Sequence, residues 1–394
     1  MMTSPRGEIM GLRFSTKKLR GSFAGTLLSV LIYFLVSPAP LLAQTWTWTN
    51  QDIEPTGGES PSIAIDHDSN LHVAYRVVEG GQLKYAFLPS GSSKWFKMIL
   101  DQGMVVFSTG ITIDPSGNPQ ICYTPNVLKY AHFDGKKWFT QEVDPGSGLV
   151  GYLCSIQVNP QGSPMVTWYL PAGGMRYAIL RDGTWFATAL DGNANDYAGK
   201  WNSMVLDAKA NPHVAYSDFP GGQLRYAAYD GKGWIRSVLH SQLDDPGGPK
   251  GMGASMVLDA QGNPWISYYD EQTLRVAHLE NGKWTKKVVE QLPPFVNWGW
   301  KEFRSAISLD RNGNPHIVFE SLQGLEHAWW DGSKWSLQII LAPSVISFFD
   351  NCTVMSKDDV IHVVYKDPLD GSLKLATGNP PRRADPNPQT AQKK

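Results

Sequence analysis

One pattern recurs along most of this chain. Ser203–Trp234 reads SMVLDAKANPHVAYSDFPGGQLRYAAYDGKGW, and Ser255–Trp284 reads SMVLDAQGNPWISYYDEQTLRVAHLENGKW. With the acidic residue of the first turn as a ruler, seven copies fall at Asp66, Asp114, Asn159, Asp207, Asp259, Asp310 and Ser356. Their spacings are 48, 45, 48, 52, 51 and 46 residues. Such a chain builds one supersecondary unit seven times and buries each unit against its neighbours.

Each copy holds four strand-like runs, as in SMVLD, PHVAYSD, LRYAAYD and GWIRSVLH. Apolar and polar residues alternate within them, the period-2 signature of strands. Asn-Pro and Asp-Gly supply the turns, because Pro fixes φ and Gly accepts φ > 0. Four antiparallel strands per repeat, arranged radially, predict a β-propeller. The ends of the chain agree. The seventh copy has three strands and lacks the Trp strand, whereas QTWTWTNQDIE near the N-terminus is a Trp strand without the other three. The expected fold is therefore all-β: a seven-bladed β-propeller over residues 44–378, four antiparallel strands per blade, the last blade closed by the N-terminal strand. Closure in this way removes an exposed sheet edge.

The flanks have other characters. Residues 1–43 carry TKKLRG, the apolar stretch FAGTLLSVLIYFLV and then SPAPLLAQ. This is the layout of a signal peptide cleaved after Ala39 or Ala43, which implies a secreted or periplasmic protein with no stable membrane insertion after cleavage. Residues 379–394 are Pro-rich and polar, and are expected to be a disordered tail. The formal charge is −1 for the whole chain, but residues 44–378 hold 26 basic against 34 acidic residues, a net of −8. That body lacks the electrostatic footprint of a nucleic-acid binder. Cys122, Cys154 and Cys352 show no metal-ligand spacing. One bridge could form after export, but buried free thiols are the expectation. No metal and no cofactor are expected.

The third turns read Asp134-Gly135-Lys136-Lys137-Trp138, Asp182-Gly183-Thr184-Trp185, Asp230-Gly231-Lys232-Gly233-Trp234, Asn281-Gly282-Lys283-Trp284 and Asp331-Gly332-Ser333-Lys334-Trp335. These turns and the architecture resemble the Asp-box (BNR-repeat), sialidase-like propellers. The resemblance implies the fold and carries little about function. It does not imply sialidase activity, because the Arg-Ile-Pro motif is absent and sialidases have six blades.

Residues that recur in every blade are expected to be scaffold. Trp95, Trp138, Trp185, Trp234, Trp284 and Trp335 share one repeat position, with Trp46 or Trp48 as the seventh, and should pack between blades with the indole N–H hydrogen-bonded. His72, His213, His316 and His362 share another, which argues for structure over catalysis. The first and third turns should lie on one monotonous face. The opposite face carries the second turns and the crossovers between blades, which vary sharply, and variable loops on a rigid scaffold are where binding resides. The crossovers run into the inner strands, so their last residues should ring the axis.

The predicted ligand-binding residues are accordingly Arg76, Tyr169, Trp201, Asn202, Asp218, Trp300, Arg304 and Asp350. Aromatic faces among donors and acceptors suit a sugar, whose C–H faces stack while its hydroxyls pair. The expected function is glycan binding on the crossover face. Two alternatives use the same fold: a glycoside hydrolase or polysaccharide lyase on that face, and a protein-interaction scaffold. A hydrolase would draw its carboxylate pair from Glu302, Glu320 and Asp270. No nucleophile elbow, phosphate loop or HExxH motif is present.

Overall fold

The structure, a computed structural model, divides into two units, Met1–Ala43 and Gln44–Lys394. It describes residues 45–381 except 105, 146–152, 172, 193–197, 219–221, 242–243, 245–249, 271–272, 293–303 and 343–350. Residues 1–44 and 382–394 lie outside the described residues, so the signal segment and the tail remain expectations. Twenty-eight strands form seven antiparallel sheets of four. Among the described residues there is no helix, and hence none long and apolar enough to cross a membrane.

The first blade runs Gly58–Ile65, Leu71–Val77, Gln82–Leu88 and Phe96–Asp101, from axis to rim. The inner strands of the next six blades are Thr109–Ile113, Cys154–Val158, Ala198–Leu206, Lys250–Leu258, Ser305–Leu309 and Asn351–Met355. In the seventh blade the outer strand is Thr47–Glu54, paired antiparallel with Leu373–Asn379. The ring therefore closes as the sequence predicts. Trp48 pairs with Gly378 and takes the seventh Trp position. Trp46 does something else. Its ring packs edge-on against His316 and His327 of the sixth blade, at 5.2 and 4.9 Å. Its backbone N–H and C=O both bond the amide of Gln338, each at 2.9 Å.

The core sits in seven clusters, each shared by neighbouring blades, and each takes in one repeat-position Trp. Trp138, Trp185, Trp234 and Trp284 each lie 5.0–5.3 Å from the third-strand Tyr of the preceding blade: Tyr85, Tyr130, Tyr177 and Tyr226. One expectation is corrected here. The indole N–H groups of Trp48, Trp95, Trp185 and Trp335 are buried without a hydrogen-bond partner among the described residues. They are enclosed by apolar side chains and aromatic rings, so packing alone holds them.

The recurring histidine is structural, as expected. His72 joins Tyr85 (Nδ1 to OH, 2.7 Å) to Asp66 of the first turn (Nε2 to Oδ2, 3.3 Å). His213 repeats the link between Tyr226 and Asp207. In the second blade Gln120 does the same work, donating to Asp114 at 2.8 Å and accepting from Tyr130. The first and third turns share a face, shown by Ser90 N–H donating to Asn70 Oδ1 at 2.8 Å.

The expectation of free thiols is overturned for two of the three cysteines. Cys122 and Cys154 form a disulfide, and Cys352 lies outside it. The physical reason lies in the seams. Five residues before the ruler position, each inner strand meets the preceding blade. There Thr109 Oγ1 donates to Ser60 O (2.6 Å), Asn202 Nδ2 to Leu153 O (3.2 Å), Ser305 Oγ to Gly253 O (2.8 Å) and Asn351 Nδ2 to Arg304 O (3.4 Å). Cys154 occupies this position between the second and third blades, and a covalent bond replaces the hydrogen bond.

Candidate functional site

The inner strands surround an axial cavity of about 310 Å³. Its walls at mid-depth are hydroxyls, and these also tie the ring together. Ser155, Ser203 and Ser255 each accept a bond from the backbone N–H of the next inner strand, at Met204, Met256 and Ile307 (3.0–3.3 Å). Ser opens four of the seven repeats, at Ser62, Ser155, Ser203 and Ser255, with Gly110, Ala306 and Cys352 in the others.

At the crossover end, the position six residues before the ruler lines the cavity in four blades, at Leu153, Trp201, Gly253 and Arg304. Its occupants are Ser60, Ser108, Leu153, Trp201, Gly253 and Arg304, with Asp350 outside the described residues. The backbone there is left-handed in four blades, with φ of +47° at Ser60, +85° at Leu153, +45° at Trp201 and +60° at Gly253. For Leu and Trp this conformation costs on the order of 1–2 kcal/mol each and persists only where the surroundings enforce it. The strand bulges here, where its register against the second strand slips between Lys200 and Ser203 and between Met252 and Ser255. Leu153, Trp201, Gly253 and Arg304 thus bring four unlike residues to the cavity.

Three predicted residues meet at this cavity: Trp201, Asn202 and Arg304 all line it, with Asn351 beside them. Trp201 is only 7% exposed, with Lys200 Nζ 5.9 Å from its ring centre. Asn202 is held on three sides, bonding Leu153 O, Gly199 O (3.1 Å) and Thr167 Oγ1 (2.9 Å). Its amide shapes the mouth as much as it faces it. Glu320 is buried just behind, its Oε1 3.4 Å from Asn351 Nδ2. The Tyr269 hydroxyl bonds both the Glu320 backbone C=O (2.9 Å) and N–H (3.0 Å).

The other described candidates do not line the cavity: Arg76 sits at a blade seam, and Asp218 and Asp270 are paired within their own blades. Arg76 pairs with Glu59 and donates to Val106 O at 2.8 Å, and Lys366 bonds the same Glu59 from the seventh blade. Burial alone would raise the Glu59 pKa, but these two cations outweigh it and hold the carboxyl below its ordinary value. Asp218 is paired with Arg225 at 2.5 Å and Asp270 with Arg275 at 2.7 Å. Tyr169 is buried. Trp300, Glu302 and Asp350 lie outside the described residues.

Sequence reasoning missed a repeated clamp between blades. The carboxylate near the end of an outer strand accepts the second-strand Tyr hydroxyl of the next blade and pairs with a cation beside it. Glu54 takes Tyr75 (2.8 Å) and Lys84 (3.1 Å), Asp101 takes Tyr123 (2.8 Å) and Lys129 (3.0 Å), and Asp191 takes Tyr216 (2.6 Å) and Arg225 (2.9 Å). The signal was in plain view. The second residue of the Leu-x-Tyr-Ala pattern is basic in six blades, at Lys84, Lys129, Arg176, Arg225, Arg275 and Lys374, and is Glu326 in the sixth. Burial raises the Glu326 pKa. Among the described residues no group of three or more His, Cys, Asp or Glu side chains is placed to hold a metal.

No protein-family model matches this sequence, and no curated protein matches it. Solved structures do match in fold. A catalytically inactive virginiamycin B lyase from Staphylococcus aureus with quinupristin aligns with a TM-score of 0.58 at 10% identity, over 84% of this chain and 99% of that one. A fucose-specific lectin from Aleuria aurantia aligns with a TM-score of 0.50 at 13% identity, over 73% and 97%. At these identities the likeness concerns the fold alone. The chain is a seven-bladed β-propeller whose inner strands surround an axial cavity.

Proposed function

We propose that the protein is an exported glycan-binding propeller whose ligand enters the axial cavity from the crossover face. The observation that carries this reading is the cavity lining. One repeat position brings Leu153, Trp201, Gly253 and Arg304 to a cavity whose lining also includes Ser62, Ser155, Ser203 and Ser255. A guanidinium beside hydroxyls and the Asn202 and Asn351 amides suits a sugar, with its many hydroxyls. The lectin neighbours bind fucose on propellers of this kind, which is consistent with the reading. The Cys122–Cys154 bridge is of a type that persists in oxidising compartments and supports export.

Glycan cleavage on the same face is the second reading, favoured by the buried Glu320 beside Asn351 and Arg304. A glycan array combined with a reducing-sugar assay on residues 44–394 tests both. Arg304→Ala and Trp300→Ala are expected to weaken binding by about 1–3 kcal/mol without altering the fold. Glu302→Gln and Glu320→Gln abolish turnover if either carboxylate is catalytic, and only soften affinity in a lectin. Normal binding by the Arg304 and Trp300 variants would refute the axial site.

A further inference from the structure

The opposite face holds a second place where the repeat breaks. Between the sixth and seventh blades a cavity of about 460 Å³ opens among the first and third turns, within the size range of small-molecule sites. Three of its features occur at this seam and at no other described turn. First, Asp359 stands where the equivalent turns place Gly117, Gly162, Gly262 and Gly313, or the small Ser69 and Ala210. It holds φ = +61°, in the left-handed region that Asp visits more readily than most side chains. Second, Arg311 reaches it from the sixth blade: its backbone N–H donates to Asp359 Oδ1 at 2.8 Å and its Nε to Oδ2 at 2.5 Å. The Arg311 side chain is 57% exposed, and its two terminal nitrogens have no partner among the described residues. Third, Trp329 lines the cavity where other blades have Phe87, His132, Ile179, Ala228, His278 or Thr377. His327 stacks on it at 5.1 Å, and Trp46 from the closing strand forms part of the wall. The site is therefore complete only in the closed ring.

We infer that this seam is a second ligand site, for a neutral hexopyranose ring. A half-exposed indole offers a platform for the C–H face of a sugar. The Arg311–Asp359 pair offers a planar donor and an acceptor side by side, which matches a vicinal diol. The sign of the site excludes acidic sugars, because Asp310, Asp331 and Asp359 surround a single guanidinium. A cavity of about 490 Å³ at the same level between the first and second blades makes a useful contrast. Its Asp66, His72 and Tyr85 are bonded to one another, and its remaining walls include Phe87, Phe96, Phe133 and Trp138, so it presents rings without a matching polar pair.

The inference shares with the axial reading only the class of ligand, and the two fail separately. The test is saturation-transfer NMR on the full mature chain with methyl α-L-fucopyranoside, methyl β-D-galactopyranoside, methyl α-D-mannopyranoside and methyl β-D-glucuronide. All variants are compared in an Arg304→Ala background, which weakens any axial binding; transfer to at least one neutral glycoside is expected there, about ten-fold weaker or lost when Arg311→Ala or Trp329→Ala is added. Arg311 is exposed, so its variant keeps the fold and the comparison holds even if Trp329→Ala does not fold. Absence of transfer to every neutral glycoside overturns the inference. So does transfer unaffected by Arg311→Ala, or a preference for the glucuronide.

Discussion

Truncation of Trp46 to Ala isolates what the closing strand contributes beyond its backbone ladder. Trp46 is 5% exposed and lies outside the repeat position that Trp48 fills. Its ring is wedged between the sixth and seventh blades against His316, His327 and Trp329. The ladder from Thr47 to Glu54 and the paired bonds to Gln338 use backbone atoms and survive the substitution. What is lost is apolar burial and the cavity left behind, about 3–5 kcal/mol for a buried Trp. Unfolding entropy of roughly 2.1 cal/mol/K per residue, over about 335 residues, amounts to about 0.7 kcal/mol/K, so the melting temperature should fall by about 4–7 °C. Differential scanning calorimetry reads this directly, with Thr49→Ala on the exposed side of the same strand as the control. Deletion of residues 44–54 should be far worse, since it also exposes the Leu373–Asn379 edge and releases Glu54 from Tyr75 and Lys84. A Trp46→Ala protein that melts within a degree of the parent would refute the wedge.

Replacing Cys122 and Cys154 together by Ser should cost about 3.7 kcal/mol, the chain-entropy estimate for a bridge closing 32 residues; denaturant unfolding with and without reductant should show the same gap in the parent and none in the variant. Stability should decline as pH falls from about 6.5 toward 4, because His316 and His362 are buried neutral with pKa values pushed down to about 4, so the unfolded chain takes up protons first; a flat stability profile across that window contradicts it. Burial would raise the Asp101 and Asp191 carboxyls, but Tyr123 and Lys129, and Tyr216 and Arg225, hold both below the ordinary value. Their contribution is complete above about pH 4 and is lost as pH drops through their lowered values, and Asp191→Asn should forfeit about 1.5–3 kcal/mol at neutral pH.

Much of this protein was legible before any fold was drawn, and the reason is repetition. A strand's alternation is a local property, and here it was written seven times, so the blade count and the N-terminal closure followed from the alternation and two unmatched ends. The same logic identified His72 and its counterparts as structural, since a role repeated in every blade belongs to the scaffold. What the sequence could not supply was the seams. Each seam joins residues that are distant in sequence and meet only once the blades twist and pack. Cys122 reaches Cys154, Asn202 reaches Leu153, and Asp101 reaches Tyr123 through the rotation between blades. Pairing of the cysteines depended on that rotation, whereas Asp218 and Asp270 are matched within their own blades by Arg225 and Arg275 on the neighbouring strand. The crossovers are the reverse case. They have no repeat to average over, and their sequence alone set which side chains reach the axis. The bulged, left-handed backbone at Leu153 and Trp201 decided how those side chains are held there.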